Sequence, residues 1–519
     1  MEKNNEVRAD YKEQIVPDYR NNPFIEALPP IWSTSEAVRL LTVAPDFHPG
    51  ERELDAEYRI HCVKRLFRYF QPLDTHLDID LRISIAIRQG YVTRNPIFPQ
   101  CADRLSHGYE AIEEKNIDIY GDYPMKSTSA GFTIIGMSGV GKTTAVERIL
   151  SLYPQCIEHV SYHGQPFFVK QLVWLKIDCP FDGSLKGLCF SFFTAFDKAL
   201  GTDYCRKLSG RTATVDALLP KMAQMSTNHG LGLLVVDEIQ HLSQAKSGGS
   251  EKMLNFFVTL VNTIGVPVVL IGTTKAMSVL QSEFRQARRG SGQGDLIWNR
   301  MKNDISWEIM LRAMWRYQWT RKHSELTEEL KNIIYDESQG IIDIAVKLYA
   351  MAQVKAIALG TEQITEKIIR EVSAEKLRLV KPMLDALRSG DMKRIMKFED
   401  IRPIEIEDYI ATNMSKIRAF DTTQKNMRTL EEQAILKLLE MDIPSKQAQA
   451  CVRKVILQSN AAQPLSSVVK KAFRLALSME KPSPQELKEQ AEDLRKLSGE
   501  NLYEAMKGAG FIANADDDL

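Results

Sequence analysis

Gly136, Met137, Ser138, Gly139, Val140, Gly141, Lys142 and Thr143 satisfy G-x-x-x-x-G-K-[ST] in full, with Thr144 following. Glycines at these spacings let the backbone turn tightly enough to aim successive N–H groups inward, and a helix opening at Lys142 adds its amino-terminal dipole. The chemistry is phosphate binding. Lys142 reaches the β- and γ-phosphates of ATP, and the Thr143 hydroxyl is a ligand for Mg²⁺. A second acidic element complements it: Leu233, Leu234, Val235 and Val236 lead into Asp237 and Glu238. Asp237 suits the Mg²⁺ shell, and Glu238 suits polarisation of an attacking water as general base. A buried strand closing in a solvated acidic turn would have the same residues, but the phosphate loop favours the catalytic reading. The apolar run Val266–Ile271 ends in Gly272, Thr273 and Thr274. A hydroxyl there can touch both γ-phosphate and water, with Thr273 favoured over Thr274. Arg285, Arg288 and Arg289 stand before a glycine-rich stretch, and Arg300 is a further candidate. A guanidinium at such a place can reach a nucleotide on a neighbouring subunit, or simply satisfy a helix end.

These groups need rigid elements to converge. Phe132–Ile135 reads as a short buried strand, followed by the phosphate loop and a helix over 143–152. Further strand-like runs cover 172–177, 231–236 and 266–271. Helical stretches at 185–200, 215–223 and 251–263 separate them. Strands alternating with helices predict an α/β fold with a parallel sheet covered on both faces. The stretch 55–89 reads as mostly helical. Beyond Glu325 only amphipathic helices appear, among them 341–359, 366–381 and 430–441. Prolines 23, 29 and 30 predict that Asn22–Trp32 is an extended arm, not a regular helix. Its Phe24, Ile25, Leu28 and Trp32 need a surface to pack on, either their own domain or a partner. The tail 513–519, with three consecutive aspartates, reads as disordered.

The 519 residues suit several domains, and Lys plus Arg (67) balance Asp plus Glu (67). Zero net charge excludes coating of nucleic acid by bulk positive charge while allowing a local basic stripe. The 7 cysteines are scattered without a C-x-x-C pair, which fits reduced thiols rather than a disulfide framework or zinc site. His61, Cys62 and His76 match no common ligand spacing. No apolar run reaches the ~18 residues of a membrane span. The amino terminus lacks a secretory pattern, so a cytoplasmic location is expected.

The order of phosphate loop, Asp-Glu strand, polar strand end and arginine pair, followed by helices, resembles the AAA+ ATPases. Longer segments are similar to the TnsC family, AAA+ regulators of TnsABC-type bacterial transposons. They are Asn22–Pro30, Tyr69–His76, Arg88–Pro96, Leu233–Leu242, Gly248–Ser250, Met253–Thr259 and Ala287–Gly290. The likeness covers roughly 20–400 and continues weakly at Lys507–Gly510. It implies an AAA+ P-loop core with a parallel sheet, a helical lid and a mainly helical carboxy-terminal region. The corresponding boundaries are an amino-terminal partner-facing segment (1–60), the core (61–322), the lid (323–390) and the carboxy-terminal region (391–519).

The resemblance further implies a homo-oligomer, ring or spiral, on duplex DNA. Hydrolysis would drive disassembly. A target-selection factor would meet the amino-terminal region, transposase subunits the carboxy-terminal one, and the setting would be a bacterial nucleoid. A helical insertion at about 181–210 is the expected backbone grip, with Ser184, Lys186, Arg206 and Lys207 as phosphate contacts that read no sequence. The chain departs from the common AAA+ pattern at Asp343, where many members carry a lid arginine. Lys347, one turn later, is the candidate substitute. The same ATPase parts would serve an AAA+ replication initiator or helicase loader, or a nucleotide-controlled scaffold that does not bind DNA.

Overall fold

The computed structural model describes residues 6–98, 131–208, 214–244, 266–276 and 294–391, scattered positions over 394–414, and most of 430–457 and 464–478. Contacts divide the chain into two compact units, Met1–Met414 and Ser415–Leu519.

Among the described residues of the first unit, the central sheet has five strands: β2 (Phe132–Gly136), β5 (Trp174–Asp178), β6 (Leu233–Asp237), β7 (Val268–Gly272) and β8 (Asp295–Trp298). Their spatial order is β5-β6-β7-β2-β8. Every neighbouring pair is parallel. Strands β2, β6 and β7 are buried along their whole length, as continuous runs of Val, Ile and Leu require when both faces are covered. One face carries the helices Leu185–Leu200 and Val215–Asn228, with Phe192, Phe193 and Phe196 buried against Leu175, Ile177 and Leu234. The other carries Asp74–Val92 and Lys142–Leu150, with Ile83, Ile87, Val146 and Ile149 against Ile134, Val235 and Ile271.

A second sheet, absent from the sequence reading, has β1 (Glu6–Arg8) parallel to β3 (Cys156–Tyr162), which pairs antiparallel with β4 (Gln165–Leu172). The single expected strand over 172–177 is therefore the end of β4 followed by β5. β8 was also unforeseen.

The extended-arm expectation is corrected. Pro23 opens a four-residue helix, Pro23–Glu26, at the first helical position, where a missing N–H costs nothing. The Asn22 side chain caps it, accepting from Phe24 N at 3.1 Å. Phe24, Ile25 and Leu28 are buried in the same cluster as Phe132 and Tyr91, each burial contributing about 1.5–3 kcal/mol. The segment packs on its own domain. Ser33 then starts the helix Thr34–Leu41 through a capping box with Glu36.

Beyond β8 the described residues of the first unit form helices. Ile305–Trp315, Glu328–Ser338, Ile342–Ala358, Glu366–Lys376 and Lys381–Ser389 follow in order. Arg59 ties the early chain to this region through a bidentate bond to Glu362 at 2.6 and 2.7 Å and a bond to Trp319 O. In the second unit, the helices Ser445–Leu457 and Leu465–Ser478 pack through Ala448, Cys451, Val452, Val468 and Ala472. Gln447 Nε2 donates to Ala476 O at 3.1 Å, setting them antiparallel. No helix among the described residues is long and apolar enough to cross a membrane.

Candidate nucleotide site

Strand β2 delivers the phosphate loop to the edge of a cleft of about 500 Å³. Gly139 and Gly141 have φ of +77° and +102°, the left-handed backbone that a side chain resists, and Gly141 opens the helix Lys142–Leu150. Val140 is buried in the core and does not line the cleft. Met137 packs against the same core, while Ser138, Lys142, Thr143 and Thr144 line the opening. The Lys142 ammonium donates to Gly136 O at 2.8 Å and Met137 O at 2.7 Å, lying along the loop whose ligand it would neutralise.

Strand β6 is parallel to β5, and its end brings Asp237 to the loop. Thr143 Oγ1 donates to Asp237 Oδ2 at 2.8 Å, and Asp237 Oδ1 accepts from Glu238 N at 2.8 Å. A hydroxyl and a buried carboxylate so placed form the oxygen donor set of a hard divalent cation, so the residues fit Mg²⁺ held beside a triphosphate. Lys176 on β5 stands 3.5 Å from Asp237 Oδ2, 3.5 Å from Asp178 and 2.9 Å from Glu147. Burial works against its charge, but the Glu147 bond and the Asp237 and Asp178 carboxylates outweigh that and raise its pKa. Lys176 escaped the sequence reading, although a charged residue inside an apolar strand was the available signal.

Glu238 lines the cleft, is exposed, and has φ +57°. Its carboxylate accepts from Gln240 Nε2, and Gln240 Oε1 accepts from Thr273 N at 3.1 Å. Thr273 is buried at the end of β7 and lines the cleft, and its hydroxyl has no partner among the described residues. Thr274 does not line it. His241 closes one side, and the exposed Phe181 packs a ring on it with centroids 5.2 Å apart.

The helix Ile342–Ala358 reaches the phosphate loop. Asp343 N donates to Gly139 O at 3.3 Å, and Asp343 lines the cleft. The Lys347 ammonium lies 2.7 Å from the Asp343 carboxylate, so the proposed substitute for the lid arginine is paired within its own helix. The Arg300 guanidinium donates to Gln339 O (3.1 Å), Gln339 Oε1 (2.8 Å) and Leu387 O (3.2 Å), joining the end of β8 to later helices. Arg285, Arg288 and Arg289 lie outside the described residues, as do the stretch 251–263 and the tail.

The insertion residues stand apart from the cleft. Ser184 Oγ caps the helix Leu185–Leu200, accepting from Gly187 N at 3.1 Å. Lys186 lies 5.9 Å from the Phe190 ring and Lys207 5.9 Å from the Tyr204 ring. Arg206 pairs with Asp203.

Residues 126–280 match the family profile described as AAA domain, spanning β2 to β7. This segment is an AAA-type P-loop ATPase domain. No curated protein matches the chain. Among solved structures, the chain is similar to the Aeropyrum pernix ORC1 protein in complex with DNA. Identity there is 13% and the TM-score 0.35, over 76% of this chain and 86% of that one. Cdc6p from Pyrobaculum aerophilum is 13% identical with a TM-score of 0.34, over 74% and 95%. The RuvB Holliday junction branch migration motor of Thermotoga maritima is 14% identical with a TM-score of 0.29, over 60% and 80%. Likenesses this loose carry no function to this chain. The AAA domain itself implies nucleotide binding.

Proposed function

We propose that the protein is an ATP-hydrolysing regulator of transposition that assembles on duplex DNA and connects a target-selection factor to transposase subunits. One observation carries the ATPase reading: Thr143 and Asp237 meet at 2.8 Å in a cleft that also receives Lys142, Glu238 and Thr273. The transposition reading rests on the TnsC-like segments, several of which lie in described parts of the fold.

Lys142 would neutralise the terminal phosphates and draw the loop N–H groups around them. Thr143 and Asp237 would hold Mg²⁺, which when bound offsets charge on the β- and γ-oxygens. Glu238 would take the proton of the attacking water. The Thr273 hydroxyl would orient that water or bond a γ-oxygen. Arg288 or Arg289 would act from the neighbouring subunit. Ser184 and Lys186, at the amino end of Leu185–Leu200, and Arg206 and Lys207, on the short helix Tyr204–Leu208 that follows its other end, would contact DNA phosphates. Two or three contacts per subunit bind weakly, so nucleotide-dependent assembly multiplies them.

Glu238→Gln tests this directly. Turnover should fall about 100-fold or more, the scale of a lost general base, while nucleotide affinity persists and assemblies on duplex DNA accumulate in electron micrographs. Unchanged turnover removes Glu238 from the reaction. Sedimentation with ATP, with and without duplex DNA, tests the other half. Equal assembly in both, together with no effect of Lys186→Glu, favours a scaffold without DNA.

A further inference from the structure

We infer that Gln240 is a positioning residue that ties the Thr273 strand end to the Glu238 carboxylate, so that the γ-phosphate contact and the water-activating group move together. The inference rests on the ATPase reading of Glu238. Gln240 sits in the turn Ile239–Gln244 that leaves β6, and it is 7% exposed. Its amide has a different partner at each end. Thr273 N is a donor, so the atom facing it must be the amide oxygen. The Glu238 carboxylate is an acceptor, so the atom facing it must be the amide nitrogen. The orientation of this side chain is therefore dictated by its partners.

Neither end is easily replaced. Glu238 leaves the strand in the left-handed region, which turns its carboxylate away from the strand line. Gln240 is the hydrogen-bond partner of that carboxylate among the described residues. On the other side, a Cβ on Gly272 would lie 2.5 Å from Ile239 Cγ1 and 3.1 Å from Gln240 Oε1. Glycine there lets the turn lie close enough to β7 for the amide to reach Thr273 N. The Thr273 hydroxyl is buried, lacks a partner among the described residues and faces the same cleft. A planar amide thus spans the group assigned to the terminal phosphate and the group assigned to water. Displacing the Thr273 main chain shifts the acceptor, and the donor end shifts Glu238 with it. Two-ended bonding of this kind is a contiguous physical link between two parts of one site.

Two substitutions in the full chain separate this role from mere satisfaction of a buried N–H. Gln240→Glu keeps an acceptor for Thr273 N but offers Glu238 a like charge in place of a donor. Gln240→Met keeps the approximate volume and removes both bonds. Each should lower kcat for ATP about tenfold or more, with KM within about threefold for Gln240→Glu and rising by no more than about fivefold for Gln240→Met, so that most of the loss falls on the transition state. Equilibrium binding supplies a readout independent of turnover. Gln240→Met should reduce the preference for a non-hydrolysable ATP analogue over ADP about fivefold, on the scale of one displaced hydrogen bond. Gln240→Glu should keep that preference, because the Thr273 end stays held. Melting temperatures identify a variant that fails to fold, and Gln240→Glu alone then decides. Parental turnover in Gln240→Glu overturns the inference, as does a Met variant with unchanged turnover and unchanged analogue preference. If Glu238→Gln is itself without effect, the ATPase reading has failed first, and the two failures are distinguishable.

Discussion

The nucleotide cleft and the helical insertion both collect polar and charged side chains, yet they spend them differently. At the cleft, folding leaves capacity over: Thr273 Oγ1 and His241 Nδ1 are buried without hydrogen-bond partners among the described residues, and Glu238 holds a left-handed backbone. Such features cost stability and persist where a ligand or a reaction uses them. In the insertion, local structure consumes the polar groups. Ser184 caps its helix, and Asp197 accepts from Thr202 Oγ1, Tyr204 N and Cys205 N at 2.6–2.7 Å. Arg206 and Lys207 already have Asp203 and Tyr204 beside them. The cleft is organised toward a specific ligand, whereas in the insertion the polar groups are used within the local structure and Arg206 and Lys207 lie exposed at its surface.

Three experiments would break or sharpen that contrast. The largest effect belongs to Lys142→Ala. Losing one charge-assisted hydrogen bond of about 1.5–3 kcal/mol should weaken ATP binding about 10–100-fold, measurable by calorimetry, with little change in DNA affinity of the nucleotide-free chain. A smaller loss of ATP affinity would mean that the loop backbone carries the binding.

Next comes the triple charge reversal Lys186→Glu, Arg206→Glu and Lys207→Glu. Duplex affinity should fall about tenfold, and the log–log salt slope should shrink by about 0.9 per lost phosphate contact. ATP binding to the monomer should be unchanged. A salt slope identical to the parent's would remove the insertion from the DNA interface.

The smallest effect concerns Asp80, whose Oδ1 is also buried without a hydrogen-bond partner but lies outside the cleft, on the helix Asp74–Val92. Burial pushes its pKa up to about 6, against the opposing charge of Arg88. A carboxyl raised above its unfolded value is most favourable below the unfolded pKa and loses that contribution as pH rises through about 6. Asp80→Asn should therefore melt about 1–2 °C above the parent at pH 8, with the gap closing toward pH 4. A gap that is constant with pH would show that leftover polar capacity costs little here, weakening its use as a mark of the cleft.

Much of the core was legible because its signals are local. The glycine spacing from Gly136 to Gly141, the apolar runs of β2, β6 and β7, and the carboxylates at 237 and 238 are each written in a few consecutive residues. The hairpin β3–β4 was not legible, since its turn at His163 and Gly164 carries none of the usual turn pairs and its strands alternate weakly. The segment Asn22–Trp32 misled because Pro23 reads as a helix breaker, while at a first helical position it is a helix starter. Arg300 looked like any basic residue after a strand. That its three acceptors are Gln339 and Leu387 atoms could not be read from its neighbours in the chain.

The amino-acid sequence by itself determined the phosphate loop, the parallel α/β core and the helical second half, because backbone turning, strand burial and helix periodicity act over short spans. Only the tertiary structure decided that Asp343 touches the loop and that Gln240 stands between Glu238 and Thr273. Those choices depend on parallel strands β6 and β7 presenting their ends side by side. A hydrogen bond between residues 33 positions apart is set by strand order, which no local pattern encodes.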